Sequence, residues 1–389
     1  MLPVAVVVVV TNTASKALLL LLLLSLYLVD INAAVLPEDR ADALFHSYDG
    51  GGVEITGPSI LVRKGFGDSV SATINHYVDN VSSASIDVLT TASPYSESRD
   101  ENSIAVDYLH DNTIMSVALT ESVESDFDAS TFSINFSQDM FGDLTTVNMG
   151  FALGDNIVGQ NGNSSFNEQA TTRNYRLSVS QVITKNMIMA FAFETISDEG
   201  FLNNPYRSVR YLDPTTPVQY SFQAEVYPGT RSGNALAVRA RYYLQHRAAI
   251  HGGYRIYSDS WGISANTFEL GYTLPFRTNW ILETSVRYYD QSKADFYSDL
   301  FPFQDAQNFL ARDKELSSFN SLTLGAGVSY ELDNKTWRTF KRGSLNFHYD
   351  YIQFDYDDFR DLTQSGSVGN EPLYSFNAGV IRAFASLWF

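Results

Sequence analysis

Apolar and polar residues alternate along nearly the whole chain. From Leu322 to Leu332 the even positions hold Leu, Leu, Ala, Val, Tyr and Leu, while the odd positions hold Thr, Gly, Gly, Ser and Glu. This period of two predicts a β-strand with one apolar and one polar face. The same sorting recurs at 146–153, 235–244, 280–288 and 344–351, so these stretches run 8 to 11 residues. A tilted strand needs roughly 9 to 11 residues to cross a bilayer.

The connectors between these strands fall into two length classes. Short polar turns occur at 65–68, 110–113, 140–143, 184–186, 245–247 and 275–278, with a slightly longer basic one at 333–342. Longer segments alternate with them at 81–97, 156–171, 197–232, 291–316 and 356–372, and the shorter 124–129 and 258–263 belong to the same series. Short turns on one side and long loops on the other are typical of an outer-membrane barrel, with the turns periplasmic and the loops outside.

The strand count tests this prediction. Fifteen candidate strands follow Ile55, and a barrel with both termini in the periplasm needs an even number. A further strand at 41–48, ended by the turn Asp49-Gly50-Gly51-Gly52, makes sixteen. We therefore expect an all-β, transmembrane, antiparallel up-and-down barrel of about sixteen strands, with fourteen or eighteen as alternatives.

The last strand carries its own signal. Ile381, Ala383, Ala385, Leu387 and Phe389 form one apolar face that ends in an aromatic residue. Such an ending resembles the signal by which the assembly machinery of the bacterial outer membrane recognises its substrates. We expect this strand, ending at Phe389, to close the barrel.

The N-terminus matches a secretory signal. Lys16 precedes an apolar run from Ala17 to Val29, and the small pair Ala33 and Ala34 supplies a cleavage site. The alternative is a membrane anchor, but an anchor needs about 20 continuous apolar residues and this run is shorter. We assign 1–34 to the signal peptide and 35–389 to a single barrel domain.

Composition narrows the classes of function. The 389 residues include 26 basic and 44 acidic side chains, a net charge of −18, and no cysteine. An acidic chain lacks the basic face that a nucleic acid requires, and thiol chemistry is excluded. The 14% aromatic share agrees with a barrel that carries two interfacial girdles.

Several segments resemble a known bacterial family. They are Asp49–Val53, Gly57–Lys64, Ser82–Val88, Gln138–Val147, Asp198–Tyr211 and Ser292–Asp299. On these segments the chain resembles the family described as domain of unknown function 3570, over about 36–389. The resemblance implies a Gram-negative outer-membrane β-barrel, and it supplies no substrate, cofactor or catalytic residue.

The alternation assigns a set of charged residues to the inner face of the barrel. These lumen-facing candidates are Arg176, Arg239, Arg241, His251, Arg255, Glu269, Glu283, Arg287, Glu331, His348, Asp350 and Arg382. One interpretation is a polar pore wall whose transverse field orients and selects small solutes. The other is a salt-bridged lumen that fills and stiffens a closed barrel.

Two long loops carry further candidates. They hold Asn203, Asn204, Tyr206, Arg207, Arg210, Tyr211, Asp295, Tyr297, Asp299 and Arg312. Loops of this length in a compact protein are usually functional or disordered, and the aromatic and Arg/Asp content argues against disorder. They are expected to constrict or plug the barrel mouth, to dock a partner, or to pack as a lid over the rim.

Metal and enzyme hypotheses are weaker. The acidic groups Glu124/Asp126/Asp128 and Asp355/Asp357/Asp358/Asp361 allow a calcium ion or a divalent bridge to lipopolysaccharide, but no calcium-hand pattern occurs. No zinc-protease motif or serine elbow occurs, and His348 with Asp350 is the only pair that offers general-base chemistry.

We therefore expect no enzyme, no cofactor and no resident metal. The favoured function is a porin-like channel or transporter for a polar solute in the outer membrane of a Gram-negative bacterium. Its partners would be the membrane lipids, lipopolysaccharide and, during biogenesis, the assembly machinery. A non-conducting scaffold for another protein and, less favoured, a rim enzyme are the alternatives.

Overall fold

The computed structural model describes residues 34–83, 95–332 and 339–389. Sixteen strands form one closed antiparallel barrel, and two short ones form a separate hairpin, β10–β11. The strands are β1 Arg40–Gly50, β2 Val53–Phe66, β3 Val70–Ser83, β4 Tyr95–His110, β5 Thr113–Val123, β6 Phe127–Met140, β7 Thr145–Val158, β8 Glu168–Thr184, β9 Met187–Gly200, β10 Ser208–Leu212, β11 Tyr220–Ala224, β12 Thr230–Tyr243, β13 Ala249–Asp259, β14 Ser264–Phe276, β15 Trp280–Gln291, β16 Phe319–Leu332, β17 Arg342–Arg360 and β18 Leu373–Trp388. The sixteen-strand prediction is confirmed.

The first and last strands close the barrel. β1 pairs with β18 from Arg40 opposite Trp388 to Gly50 opposite Ala378, so the strand predicted at 41–48 is present. Phe389 lies one residue beyond β18, and its backbone N–H donates to the Asp39 carbonyl. All other barrel strands pair with their sequence neighbours, except that β9 pairs with β12 because β10 and β11 lie in the loop between them.

The outer wall is apolar, as the alternation predicts. Ile74, Leu119 and Leu236 are 59%, 55% and 54% exposed on successive parts of this wall. Large exposed aliphatic side chains on an antiparallel barrel form the band that faces lipid. Among the described residues no helix is long and apolar enough to span a membrane.

The two ends of the barrel differ as expected. The turns after β2, β4, β6, β8, β12 and β14 are short, and Asp111 and Arg277 adopt φ angles of 50° and 56° in two of them. The long connectors all lie at the opposite end. Residues 1–33 of the signal peptide expected at 1–34 lie outside the described residues. So do residues 333–338 of the basic turn expected at 333–342 and residues 84–94 of the loop expected at 81–97.

The apolar core lies at the end of the barrel that carries the long connectors, in those loops and in the last residues of β17. Its buried residues are Tyr227, Trp261, Ile263, Ala294, Phe296, Tyr297, Ala311, Leu316, Tyr356 and Phe359, with a second small cluster of Val209, Phe301 and Leu310. A single η1 turn, Lys314–Leu316, belongs to the same region. We call this folded mass the cap and define it as 201–229, 260–263, 292–318 and 361–372.

Candidate functional site

The twelve lumen-facing candidates all lie on the inner wall of the barrel. Each occupies the strand face opposite to the lipid-facing aliphatic residues, as the register shows for Arg239 between the outward Val238 and Ala240. Glu194 on β9 reaches Arg255 on β13, and His348 on β17 approaches Glu283 on β15, although one strand separates each pair. Side chains converge over an intervening strand on the concave side of a sheet, which in a barrel is the lumen.

One ion-pair group joins β8, β9 and β13. The Glu194 carboxylate accepts a hydrogen bond from Arg176 at 2.7 Å and one from Asn174 at 2.9 Å, and Arg255 lies 3.4 Å away. Sequence reasoning placed Arg176 and Arg255 in the lumen and missed Glu194, although the alternation of β9 would have found it. The group holds two cations and one anion, so its net charge is positive.

A second set of charges lies on β13 to β18. Arg382 donates to Asp350 at 2.6 Å, while His348 lies 3.9 Å from Glu283 and stacks on Phe384. The carboxylate of Asp350 is therefore engaged by an arginine, and the sequence pair His348 and Asp350 does not form a histidine–carboxylate dyad.

The remaining lumen-facing candidates make different kinds of contact, with a carboxylate, an aromatic ring or a backbone carbonyl, and two of them are exposed. His251 lies 3.7 Å from Glu269, and Arg287 lies over the Tyr289 ring at 6.0 Å from its centroid. The backbone N–H of Glu331 donates to the Asn279 carbonyl at the end of the barrel that carries the short turns. Arg239 and Arg241 have side chains exposed to the lumen.

The structure adds a polar group on β1, β3 and β4 that sequence reasoning missed. His46 stacks on Tyr77 and shares a 2.6 Å contact between its Nε2 atom and Asp79. Arg99 lies 3.8 Å from Asp79 and donates to Glu101 at 2.5 Å. The alternation of β3 and β4 was the available signal, because it places Asp79 and Arg99 on their inner faces.

The cap packs against the inside of the barrel mouth. Phe296 of the cap contacts Tyr227 and Trp261 with ring centroids 5.6 and 5.2 Å apart. The partly buried residues around this cluster include Tyr257, Phe319, Phe354 and Phe376, all on the inner face of their strands, and Phe354 stacks on Phe376 at 4.6 Å. The cap therefore lies within the mouth on the side of β13 to β18.

A buried ionic centre joins three loops of the cap. Arg210, which is fully buried, donates to Glu371 at 2.7 and 2.9 Å and to the Asp299 carboxylate at 2.5 Å. Arg312 donates to the same Asp299 carboxylate at 3.1 Å, and its guanidinium lies over the Phe359 ring. Two arginines and two carboxylates thus neutralise one another where water is excluded.

The ionisation of this centre follows from its contacts. Burial opposes the charge on Glu371, but hydrogen bonds from Arg210 and from backbone N–H groups outweigh burial and hold the pKa of Glu371 below its ordinary 4.5. Burial likewise opposes the charge on Arg210, and its hydrogen bonds to Glu371 and Asp299 raise the pKa of its guanidinium.

The other loop candidates are also engaged within the cap or at its edge. Asn203 donates to the Glu225 carbonyl and accepts from the Tyr227 N–H, and Arg207 pairs with Asp313. The remaining contacts join Asn204 to the Tyr206 N–H, Tyr211 to the Phe301 backbone, Asp295 N–H to the Trp261 carbonyl, and the Tyr297 hydroxyl to the Asp358 carbonyl. These contacts give the ten loop residues structural roles in the cap.

Tyr206 links the cap to the opposite side of the rim. Its hydroxyl donates to Asp126 and accepts from the Asn161 N–H at 2.6 Å. Burial and the hydrogen bond to Asp126 raise the pKa of Tyr206 to about 12.

One of the two acidic segments forms a compact carboxylate group with Glu97 of β4. Carboxylates of Glu97, Glu124 and Asp126 lie within 4.8 Å of one another, and burial together with Glu97 raises the pKa of Glu124. Asp128 of the sequence hypothesis is not part of this group. In the other acidic segment Asp358 accepts from the Ser318 N–H, and Asp361 accepts from Thr363 and Gln364.

Residues 54–351 match the family described as "Protein of unknown function (DUF3570)". The chain belongs to this family. No curated protein matches the sequence at a significant level. Membership in DUF3570 confirms the resemblance noted from the sequence, and it assigns no activity.

Solved outer-membrane proteins share the barrel with this DUF3570 member at very low identity. The "Outer-membrane expressed OmpT of Vibrio cholerae" is 10% identical with a TM-score of 0.42, covering 92% of this chain and 100% of that one. A "Bacterial polysaccharide outer membrane secretin" is 7% identical with a TM-score of 0.47, covering 91% and 99%. The "CymD monoaromatic hydrocarbon channel" is 8% identical with a TM-score of 0.40, covering 91% and 89%.

Proposed function

We propose that this protein is a channel or transporter for a polar solute in the outer membrane of a Gram-negative bacterium. The observation that carries the proposal is the pairing of an apolar outer wall with a charged inner wall on the same strands. On β12, Leu236 and Val238 face lipid while Arg239 and Arg241 face the lumen and are exposed there. A hydrated, charged lumen lowers the cost of moving a polar solute through the hydrocarbon layer.

The inner wall carries only short side chains over part of its circumference. On β5 to β7 the inward positions hold Ser116, Ala118, Thr120, Ser133, Asn135, Asn148, Gly150 and Ala152. These side chains are short, whereas the cap occupies the mouth on the side of β13 to β18. In this proposal the solute passes along the β5 to β7 wall, and the cap narrows the extracellular entrance.

The proposal is tested by the conductance of the folded protein in planar lipid bilayers. Because the chain has no cysteine, single cysteines report position without a background. Ser178→Cys places a thiol on the inner face of β8, and its neighbour Leu177→Cys places one on the lipid face. We expect stepwise conductance that a bulky charged thiol reagent reduces in Ser178→Cys and leaves unchanged in Leu177→Cys.

One observation favours a second candidate function, a non-conducting scaffold. The cap is folded around a buried ionic centre. Such a cap presents a fixed surface that a partner protein can bind, whereas a channel lid has to move. Folded, heat-modifiable protein that gives no conductance steps would contradict the channel and support the scaffold. Lipopolysaccharide contact at the acidic rim is part of either proposal.

A further inference from the structure

We propose that Arg239 and Arg241 form a binding site in the lumen for the oxyanion group of a solute, a carboxylate or a phosphate. The proposal rests on the proposed function, since it names the class of solute that the channel would take. Most charged side chains that face the lumen on β8 to β18 have partners of opposite sign, and Arg239 and Arg241 differ from them.

Arg239 and Arg241 lack such partners. Among the described residues neither guanidinium has a carboxylate within 4.0 Å, in contrast to Arg176, Arg255 and Arg382. An unpaired guanidinium in a lumen of mixed sign attracts a solute anion, because no carboxylate of the described residues is in contact with it.

Local geometry leaves the two side chains free to move toward a ligand. Arg239 lies opposite Ala190 of β9 and Gly253 of β13, so neither neighbour has a long side chain. A Cβ added at Gly253 would lie 3.4 Å from the Arg239 Cγ atom, which shows that the stem of the arginine rests on this glycine.

The side chain of His251, the neighbour of Arg241 on β13, points away from Arg241. Arg241 lies opposite His251, but the imidazole of His251 covers Gly271 on the next strand, where an added Cβ would meet it at 2.2 Å. The ring therefore lies toward Glu269 and Gly271 on β14, away from Arg241, whose other neighbour across the ladder is Ile188 of β9.

The spacing of the pair suits one ligand group. Residues two apart on a strand project from the same face with their Cα atoms about 7 Å apart. Two long guanidinium side chains at that spacing can converge on one group with several oxygens, and the planar fork of arginine matches carboxylate and phosphate.

The surroundings add to the attraction. Arg176, Arg239, Arg241 and Arg255 share this part of the wall with two carboxylates, Glu194 and Glu269, and Gly253 separates Glu269 from Arg239. The whole chain carries a charge of −18, so this positive strip is a local exception. It lies level with the lipid-facing Val238 and Ala240, within the membrane-spanning part of the barrel.

Two measurements on the full-length folded protein test the site. Reversal potentials in a salt gradient report whether the lumen prefers anions, and calorimetry of the detergent-solubilised protein reports binding of inorganic phosphate and of succinate against chloride. The variants are the double substitution Arg239→Gln with Arg241→Gln, and Gly253→Asp, which keeps both arginines and supplies a carboxylate beside Arg239. Arg277→Gln, in a short turn outside the lumen, lowers the net charge by one, as Gly253→Asp does, and serves as the control.

We expect anion preference and binding in the native protein and in Arg277→Gln. Loss of charge-assisted hydrogen bonds should weaken binding about tenfold or more in the double variant and in Gly253→Asp. Binding of phosphate alone or of succinate alone identifies the solute as a phosphate or a carboxylate.

The outcomes separate this inference from the channel proposal. Conductance without anion preference, together with no binding of either probe, overturns the oxyanion site and leaves the channel standing. Binding that survives in both lumen variants also overturns it. Specific binding without conductance supports the site and contradicts the channel, and if the double variant does not fold, Gly253→Asp decides.

Discussion

Arg210 and Glu371 are 161 residues apart in the chain and form a two-pronged ion pair inside the cap, with donor–acceptor distances of 2.7 and 2.9 Å. The pair joins the β9–β12 loop to the β17–β18 loop, and Asp299 adds the β15–β16 loop to the same guanidinium. One buried side chain therefore bonds to three loops at once, in addition to the aromatic packing and backbone hydrogen bonds between them.

The first prediction concerns this guanidinium. Arg210→Met leaves the buried carboxylate of Glu371 without its arginine and leaves Asp299 with Arg312 alone, and breaking a buried pair costs about 3–5 kcal/mol. We expect the cap to open roughly 10² to 10⁴ times more often while the barrel stays closed. Limited chymotrypsin cleavage near the exposed Phe303 measures the opening, and heat-modifiable migration reports the barrel.

Arg173→Met is the matched control. Arg173 pairs with Glu199 at 3.3 Å, and both side chains are exposed, so its loss should cost no more than about 1 kcal/mol. Equal cleavage rates in Arg210→Met and Arg173→Met would show that the ionic centre does not hold the cap.

The second prediction concerns pH. The pKa of Glu371 is held below its ordinary 4.5, so this carboxylate stabilises the cap at pH values above 4.5, and the stabilisation is lost as the pH falls through the lowered pKa. The amide N–H groups of Phe301 and Leu310 donate to the carbonyl oxygens of Arg210 and Val226. We expect the protection of these two amides against hydrogen exchange to fall in that acidic range.

Glu371→Gln tests the assignment because it removes the titrating group. Its cap amides should be less protected at neutral pH and should lose the acid step attributed to Glu371. An acid step of the same size and midpoint in Glu371→Gln would assign the effect to another group.

The barrel was predictable from the sequence because its physics is local. A strand with one face toward lipid and the other toward water must alternate apolar and polar residues. The sequence from Leu322 to Leu332 therefore predicts which residues of the strand face lipid and which face the lumen. The strand count and the closure by the last strand followed from the same pattern, and the structure confirms both.

The partners of the charged residues were not predictable to the same degree. Alternation places Asp350 and His348 on one face, but the register across β17 and β18 is what brings Arg382 to Asp350. The arrangement of the cap was even less predictable from the sequence, because Arg210, Asp299 and Glu371 meet only after three separate loops have folded.

The third prediction concerns a close approach between β2 and β3. Their backbone pairing lapses at Gly57 and Pro58, and a Cβ added at Gly57 would lie 1.7 Å from the Val78 carbonyl oxygen. Gly57→Ala should therefore lower the yield of heat-modifiable, folded barrel, because backbone atoms must shift to admit the methyl group. At Gly252 the nearest atom to an added Cβ is 3.6 Å away, so Gly252→Ala should fold normally, and equal yields would contradict the close approach.

The fourth prediction separates the two faces of the wall with adjacent residues on β5. Leu119 is 55% exposed on the lipid side, whereas Thr120 faces the lumen opposite Ser103 and Thr131. Leu119→Lys places a charge in the hydrocarbon layer and should destabilise the folded barrel by about 2–4 kcal/mol, while Thr120→Lys projects into water and should cost far less. Urea titration of both variants in lipid vesicles, followed by tryptophan fluorescence, measures the difference. A larger loss in Thr120→Lys than in Leu119→Lys would reverse the assignment of the faces, and with it the placement of Arg239 and Arg241 in the lumen.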